Sequence, residues 1–314
     1  MGHILRYTGK KLLWTVPILL GITLLAFGLG LAARGDPAVN RASVDPDYVP
    51  TREEIQALRE ALGLTVPAPV QYGRWMAGVL RGDLGRSLMD DKPVLGEMLR
   101  LLPNTLILSG MALAVIAAAG IFGGVLLALF HGRFVDAAGR AVLVTVMSVP
   151  GFCLAYFLIW LFAQKLRVLP SSGAEGPLHF VLPCLAVSAA SACAAARLLR
   201  ASLLGELGRN YILTARAKGL GRGRLLLRHA LRNALPPTVT HIASAFGGLL
   251  GGSMITEQIF SVPGIGSYAL AAIQNRDYTA LRGYVLFTGL VFVLVCLGCD
   301  LLCAWLNPQI RLGE

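Results

Sequence analysis

Chemically reactive side chains are few in this chain, and the most regular set is a row of thiols near its end. Cys296, Cys299 and Cys303 recur at i, i+3 and i+7, which places them on one face of a helix. A thiolate metal site would require ionised sulfur atoms within an apolar bundle. Small packing residues are therefore the better interpretation of these cysteines, and we predict no metal site.

Asp300 is the one formal charge inside a predicted membrane-spanning segment. An intramembrane acid is a candidate functional residue, and a proton relay is one such role. Because Asp300 lies near the inner end of its segment, where interfacial water reaches, we interpret it as a structural partner of a cytoplasmic basic group. His179 and His241 lie near opposite membrane faces and are interpreted as interfacial hydrogen-bonding residues.

Catalytic motifs do not occur in the sequence. The phosphate-binding pattern Gly-x4-Gly-Lys-(Ser/Thr) is absent, as are a His-Glu-x-x-His helix and any Ser/His/Asp spacing. We therefore expect a chain that is not an enzyme, binds no cofactor of its own and has no ATP site.

A strongly basic stretch runs from Asn210 to Pro237 between two apolar segments. Helix formers continue to Lys218, Gly219 supplies a turn, and a second helical stretch follows before Pro236 and Pro237. A helix-turn-helix of this kind could act as a rigid lever in the groove of a partner protein. The alternative is a basic loop that only fixes membrane topology.

The elements that must position this lever are membrane helices. The chain has 314 residues, of which 55% are hydrophobic and 14% charged, and this composition is too apolar for a soluble globule. Since about 20 apolar residues cross a bilayer as a helix, we predict an all-α, polytopic membrane protein with six transmembrane helices: Leu12–Ala32, Asn104–Phe130, Ala141–Ala163, Pro177–Ala196, Val239–Thr256 and Tyr284–Leu306.

Charge predicts the orientation of these helices. The N-terminus and the segments 131–140, 197–238 and 307–314 together carry 15 of the 28 Lys and Arg residues, against three acidic residues. The opposite loops are neutral overall, so the basic side is predicted to be cytoplasmic, with both termini there. Nucleic-acid binding is the rival interpretation of the net charge of +11, but the basic residues are divided among segments that six predicted spans separate.

Two further segments have recognisable patterns. Thr51 and Glu54 form a capping box that opens a short amphipathic helix within the outer region 33–103. In the fifth span Gly247, Gly248, Gly251 and Gly252 form two overlapping small-xxx-small pairs. This pattern predicts close helix packing or a pathway-lining face, with tolerated filler as the alternative. Substitutions at Leu249 and Leu250 are expected to be mild by comparison.

The residue order of the basic stretch resembles that of permeases of ABC importers. Residues 211–220 read Tyr-Ile-Leu-Thr-Ala-Arg-Ala-Lys-Gly-Leu and residues 229–234 read His-Ala-Leu-Arg-Asn-Ala, strings typical of the dipeptide/oligopeptide/nickel branch. Of the more general permease pattern, only Ala215, Gly219 and Leu231 match. Similar strings occur at 35–37, 82–87, 251–253, 257–266, 275–278, 300–302 and 307–311, so the resemblance covers nearly the whole chain.

This resemblance implies a type I ABC importer permease fold in a bacterial inner membrane. It implies four kinds of partner: a homologous second permease, two ATPase subunits that hold ATP and Mg, an extracytoplasmic substrate-binding protein, and membrane lipid. The residues that would couple to the ATPase are Tyr211, Thr214, Ala215, Arg216, Ala217, Lys218, Gly219, Leu220, His229 and Asn233. The outer gate would comprise Glu257, Phe260, Pro263, Gly264 and Gly266, and the four glycines of the fifth span would line the pathway.

The expected organisation has four parts: residues 1–32 as N-terminal tail and first span, 33–103 as an extracytoplasmic cap, 104–306 as permease core with a coupling loop at 197–238 and an outer gate loop at 257–283, and 307–314 as a cytoplasmic tail. The resemblance favours small peptides as substrate, with nickel or a metal chelate as the alternative. A self-sufficient secondary carrier or channel is the rival from another class, and it predicts inverted repeats and buried ion-coupling charges.

Overall fold

The computed structural model describes residues 16–28, 30–31, 36–42, 50–217 and 219–306, and these are almost entirely helical. The helices are α1 Val16–Gly28, α2 Pro37–Ala42, α3 Arg52–Ala61, α4 Ala68–Leu80, α5 Val94–Leu129, α6 Phe134–Ser148, α7 Gly151–Leu158, α8 Val181–Leu207, α9 Asn210–Ala217, α10 Arg222–Arg224, α11 Leu231–Ile259, α12 Ile265–Gln274 and α13 Tyr278–Leu306. Within this described part the only β pairing is an isolated bridge between Arg86 and Pro93. The all-α prediction is confirmed.

Three of these helices are long and apolar enough to cross a membrane within the described residues. They are α5, the stretch Pro177–Leu207 and the Tyr278–Val295 part of α13, with mean hydropathies of 2.5, 1.8 and 1.7. The pair α6 and α7 would count as a fourth span. Helix α11 has the length of a span, but its glycines and hydroxyl residues make it less apolar. The first predicted span begins outside the described residues.

The third predicted span, Ala141–Ala163, is not one straight helix. Helix α6 and the helical stretch Gly151–Lys165, which begins with α7, meet at an angle of 102°. Val149, between them, has an extended backbone with ψ of 124°. Since a residue before proline is driven away from helical geometry, Pro150 explains the break at this point. Beyond α7 the chain continues as a π-helical turn, Ile159–Lys165.

The prediction that the second basic helix ends before Pro236 and Pro237 is wrong. Both prolines lie inside α11. Prolines remove the backbone hydrogen bonds to the carbonyl groups of Arg232 and Asn233, but both of those residues are exposed, where water can satisfy the carbonyl oxygens. The helix therefore continues through the proline pair.

The described residues divide into two compact units. One unit lies within 1–103 and 263–294, and the other within 104–262 and 295–314. In the first unit, the predicted capping box is confirmed: Glu54 N donates to Thr51 Oγ1 at 3.3 Å, and Thr51 N donates to Glu54 Oε2 at 2.8 Å. Gly63, with φ of +65°, follows the end of α3.

Two family-like strings of this first unit, 82–87 and 275–278, are joined by a buried hydrogen-bond set. Asp277 Oδ2 accepts from Ser87 Oγ at 2.6 Å and from Leu88 N at 3.0 Å, and its Oδ1 accepts from Ala280 N at 3.0 Å. Asp277 is 2% exposed. Its carboxylate therefore caps the start of α13 and fixes the 82–87 loop to it.

The second unit is built around α8. Close approach of α5 to α8 depends on glycine: a Cβ added at Gly120 would lie 2.6 Å from Ala195 Cβ, and one at Gly124 would lie 2.7 Å from Leu199 Cβ. Both positions therefore exclude a side chain. This contact was not predicted, although the i, i+4 glycine spacing that permits it is visible in the sequence.

Candidate coupling element and translocation face

Helix α9 and the π-helical turn Leu225–Ala230 form the element predicted to couple to an ATPase. Its buried side is anchored in a cluster that we call the coupling core: Ala128, Leu199, Leu203, Ile212, Leu225, Leu226, Ala230 and Ala234. Ile212 is 2% exposed and Leu226 is fully buried. Because this core includes side chains of α5 and α8, the element is fixed to the membrane helices of its unit rather than free.

Hydrogen bonds join the two basic strings across the turn. Tyr211 OH donates to Glu206 Oε2 at 2.5 Å and accepts from Asn233 Nδ2 at 3.1 Å. Partial burial and the hydrogen bond to Glu206 raise the pKa of Tyr211 above its ordinary value. A tyrosine hydroxyl is protonated at neutral pH even without this shift, so it is the donor to Glu206. The structure thus brings Tyr211 and Asn233, both predicted site residues, into contact.

Gly219 forms the turn that the sequence predicts. Its φ is +83°, its N donates to Arg216 O at 3.0 Å, and a Cβ added there would meet nothing within 4 Å. The position is therefore restricted by backbone conformation and not by space. Leu220 packs against the coupling core. Lys218, also a predicted coupling residue, lies outside the described residues.

The outer side of the element is basic and partly apolar. Leu213 and Leu227 are each 53% exposed. Several other residues share this exposure: Thr214, Arg216, Ala217, Gly219, Gly221, Arg224 and Arg228. Ala215 and His229 are half-buried. Exposed leucines beside arginines suit a partner groove that is apolar with an acidic rim.

Two of the four glycines of α11 are not packed against another helix within the described residues. Gly248 and Gly251 are exposed, and a Cβ added at either would meet nothing within 4 Å. Gly247 is half-buried, and the surroundings of Gly252 are outside what the structure describes. Close packing of this face against another subunit stays a prediction.

Between Thr240 and Gly251, the exposed residues along one side of α11 are small or carry a hydroxyl group. Thr240, Ser244, Gly248 and Gly251 follow one another at helical spacing and are all exposed. Leu249 and Leu250, by contrast, are only 4% and 1% exposed. Their burial argues against the expectation that substitutions at these two leucines are mild, because a smaller side chain would leave a cavity.

The predicted outer gate begins with a buried acid at the end of α11. Glu257 is fully buried, and its Oε1 accepts from Thr105 Oγ1 at 2.8 Å and from Ser253 Oγ at 2.9 Å. Its backbone carbonyl accepts from Val262 N at 2.8 Å. The acid therefore holds α11 to α5 and shapes the chain reversal that follows it.

Phe260 lies in that reversal with its side chain 1% exposed, in the main apolar cluster of the second unit. Its carbonyl accepts from Gly173 N at 2.9 Å. The remaining gate residues belong to the first unit: Pro263 is exposed, Gly264 N donates to Ser267 Oγ at 3.1 Å at the start of α12, and Gly266 is buried.

Sequence reasoning missed Thr105 and Ser253, the hydroxyl partners of Glu257, and it missed the ion pair between Asp136 and Arg200. Thr105 is 152 positions from Glu257 and Asp136 is 64 positions from Arg200. The available signal was weak: Asp136 is one of the three acids on the predicted cytoplasmic side.

The second unit thus combines membrane-length helices, a basic element anchored to them and an exposed small-residue face, a combination that is compatible with a membrane permease. Residues 120–312 match the model of the family described as binding-protein-dependent transport system inner membrane component, and residues 4–109 match that of its N-terminal region. The chain belongs to this family. It is an inner-membrane permease subunit of an ABC importer, and a transport component rather than an enzyme.

Curated relatives match over nearly the whole chain. The glutathione transport system permease protein GsiC of Pectobacterium atrosepticum is 38% identical over 98% of this chain and 99% of its own length. The protein of the same name from Salmonella paratyphi A is also 38% identical, with the same coverage.

Solved structures share the fold. One crystal form of the MetNI methionine ABC transporter, inward facing, contains a chain that is 19% identical, with a TM-score of 0.55 over 67% of this chain and 96% of that one. A second crystal form gives a TM-score of 0.58 at 18% identity. The type I importer fold is thereby confirmed.

Proposed function

We propose that this chain forms half of the translocation pathway for small peptides in an ATP-driven importer. It would pair with a homologous permease, two ATPase subunits that bind ATP and Mg, and an extracytoplasmic binding protein. The observation that carries the proposal is the exposed face of α11. Its small and hydroxyl residues between Thr240 and Gly251 suit a wet passage better than lipid contact.

Coupling would act through the element at 210–230. Its exposed leucines and arginines would dock on an ATPase subunit, and its buried side would pass the displacement to α8 and α11 through the coupling core. Outward and inward access would then alternate as the ATPase subunits close and open. Cross-links from Arg216→Cys and Leu220→Cys should reach an ATPase chain.

The substrate assignment rests on the relatives. Their names specify glutathione, which is a tripeptide, and this favours small peptides over nickel for the present chain. Calorimetry of the cognate binding protein should detect binding of glutathione or unmodified di- and tripeptides. If the binding protein instead binds Ni²⁺ or a nickel chelate and gives no heat with any peptide, the substrate is a metal and the peptide assignment is wrong.

The proposed orientation places both termini and 197–238 in the cytoplasm, with 33–103 outside. Glu60→Cys and Arg224→Cys test it in a background that lacks the six native cysteines. Both positions are exposed, so labelling by an impermeant maleimide reports the side of the membrane. We expect Glu60→Cys to react in intact cells and Arg224→Cys to react only after permeabilisation. The reverse pattern would contradict the topology.

A further inference from the structure

A buried ion pair joins the start of α6 to the later part of α8. Arg200 donates from Nε to Asp136 Oδ1 at 2.6 Å and from a terminal guanidinium nitrogen to Oδ2 at 2.7 Å. The Asp136 side chain is 2% exposed and that of Arg200 is 15% exposed. Two parallel hydrogen bonds fix the relative orientation of two planar groups, which a single contact does not.

The turn between α5 and α6 is held by the same carboxylate. Gly132 N donates to Asp136 Oδ2 at 3.2 Å, and His131 Nδ1 lies 3.3 Å from that oxygen and 3.2 Å from an Arg200 nitrogen. One imidazole nitrogen either donates or accepts, so it serves one of these partners at a time. Arg140 Nε is 3.7 Å from Oδ1. Asp136 is therefore the hub of the turn.

The same length of α8 carries the coupling core. Leu199 and Leu203 belong to that core, and Arg200 lies between them in sequence. Helix α8 ends at Leu207 and the coupling helix α9 begins at Asn210. A displacement of α9 is therefore passed through apolar contacts to the last part of α8, where the Asp136–Arg200 pair lies within two helical turns of the helix end.

We propose that Asp136 and Arg200 are positioning residues for transport. They convey the movement of the coupling element to the α5–α6 turn, so that this turn and the coupling element move together with α8. This inference rests on the proposed docking of 210–230 to an ATPase. Net stabilisation is not the expected role of the pair, since a buried ion pair can often be replaced by apolar residues without loss of stability. Such a replacement would, however, remove the fixed orientation of the α5–α6 turn relative to α8.

The decisive variant removes both charges together. Asp136→Leu with Arg200→Met leaves neither charge buried alone, so the permease should fold and assemble. In the complete importer in proteoliposomes, with binding protein, we expect ATP hydrolysis to be retained and peptide taken up per ATP to fall about tenfold. For Arg200→Lys we expect a peptide uptake per ATP between that of the double variant and that of the parent. Lysine keeps the positive charge but cannot form two parallel hydrogen bonds with the carboxylate.

Arg197→Met is the matched control, because Arg197 is exposed and lies one turn earlier on α8. This variant should leave the peptide uptake per ATP unchanged. The proposal is overturned if the double variant keeps the parent's ratio. It is equally overturned if complex yield, hydrolysis and uptake fall in parallel in the double variant and in Arg200→Lys. An Arg216→Cys cross-link to the ATPase is measured in each sample. If the cross-link is absent with otherwise unchanged permease, the result contradicts the proposed docking and not the role of the ion pair.

Discussion

Replacing Gly219 by valine is expected to leave the importer assembled while uncoupling ATP hydrolysis from transport. Gly219 adopts φ of +83° with open space around the missing side chain. The left-handed conformation costs an ordinary L residue roughly 1–2 kcal/mol, and a β-branched residue tolerates it least. The turn would therefore relax to another conformation, and α9 would lose its fixed direction relative to the coupling core.

Uptake of peptide per ATP hydrolysed is the quantity to measure, and we expect it to fall about tenfold or more. Gly219→Asn is the matched control, because asparagine enters the left-handed region more readily and should keep most of the coupling. Gly223→Ala is a second control in the same element, where a Cβ meets nothing within 4 Å and φ is not positive. If valine and asparagine behave alike, the backbone of this turn does not determine coupling.

Features set by local chemistry could be predicted from the sequence. The capping box at Thr51, the end of α3 before Gly63 and the turn at Gly219 each depend on a few adjacent residues, and the structure has all three. The proline pair in α11 was misinterpreted for a related reason. Proline is a strong local signal, but solvent at the carbonyls of Arg232 and Asn233 changes its consequence.

Features that join distant segments could not be predicted in this way. The contacts of Glu257 with Thr105 and of Asp277 with Ser87 require knowledge of which helices are neighbours. Likewise, the glycines of α5 and those of α11 have the same spacing in sequence. Only the fold distinguishes them: α5 presses its glycines against α8, whereas α11 exposes Gly248 and Gly251.

Because of that difference, we expect Gly124→Leu and Gly251→Leu to have opposite effects on the folding of the permease. At Gly124 an added Cβ would lie 2.7 Å from Leu199 Cβ and 2.9 Å from the Ala196 carbonyl oxygen. Backbone atoms cannot yield as a flexible side chain does, and overpacking of even a few atoms typically costs about 1–3 kcal/mol. Gly124→Leu should therefore lower the yield of folded permease well below that of the parent, measured as monodisperse protein after detergent extraction.

Gly251→Leu should behave in the opposite way. Nothing in the described chain lies within 4 Å of a Cβ at Gly251, so the permease should fold and show an unfolding temperature close to that of the parent. Transport by the assembled importer should nevertheless be lost, because the leucine would occupy either the passage or the close contact with the partner permease. Gly110→Leu, at an exposed and equally open site on α5, controls for the general effect of a bulky residue on a membrane helix. Normal uptake by Gly251→Leu would contradict the role assigned to the α11 face, and a normal yield of Gly124→Leu would contradict the close packing of α5 on α8.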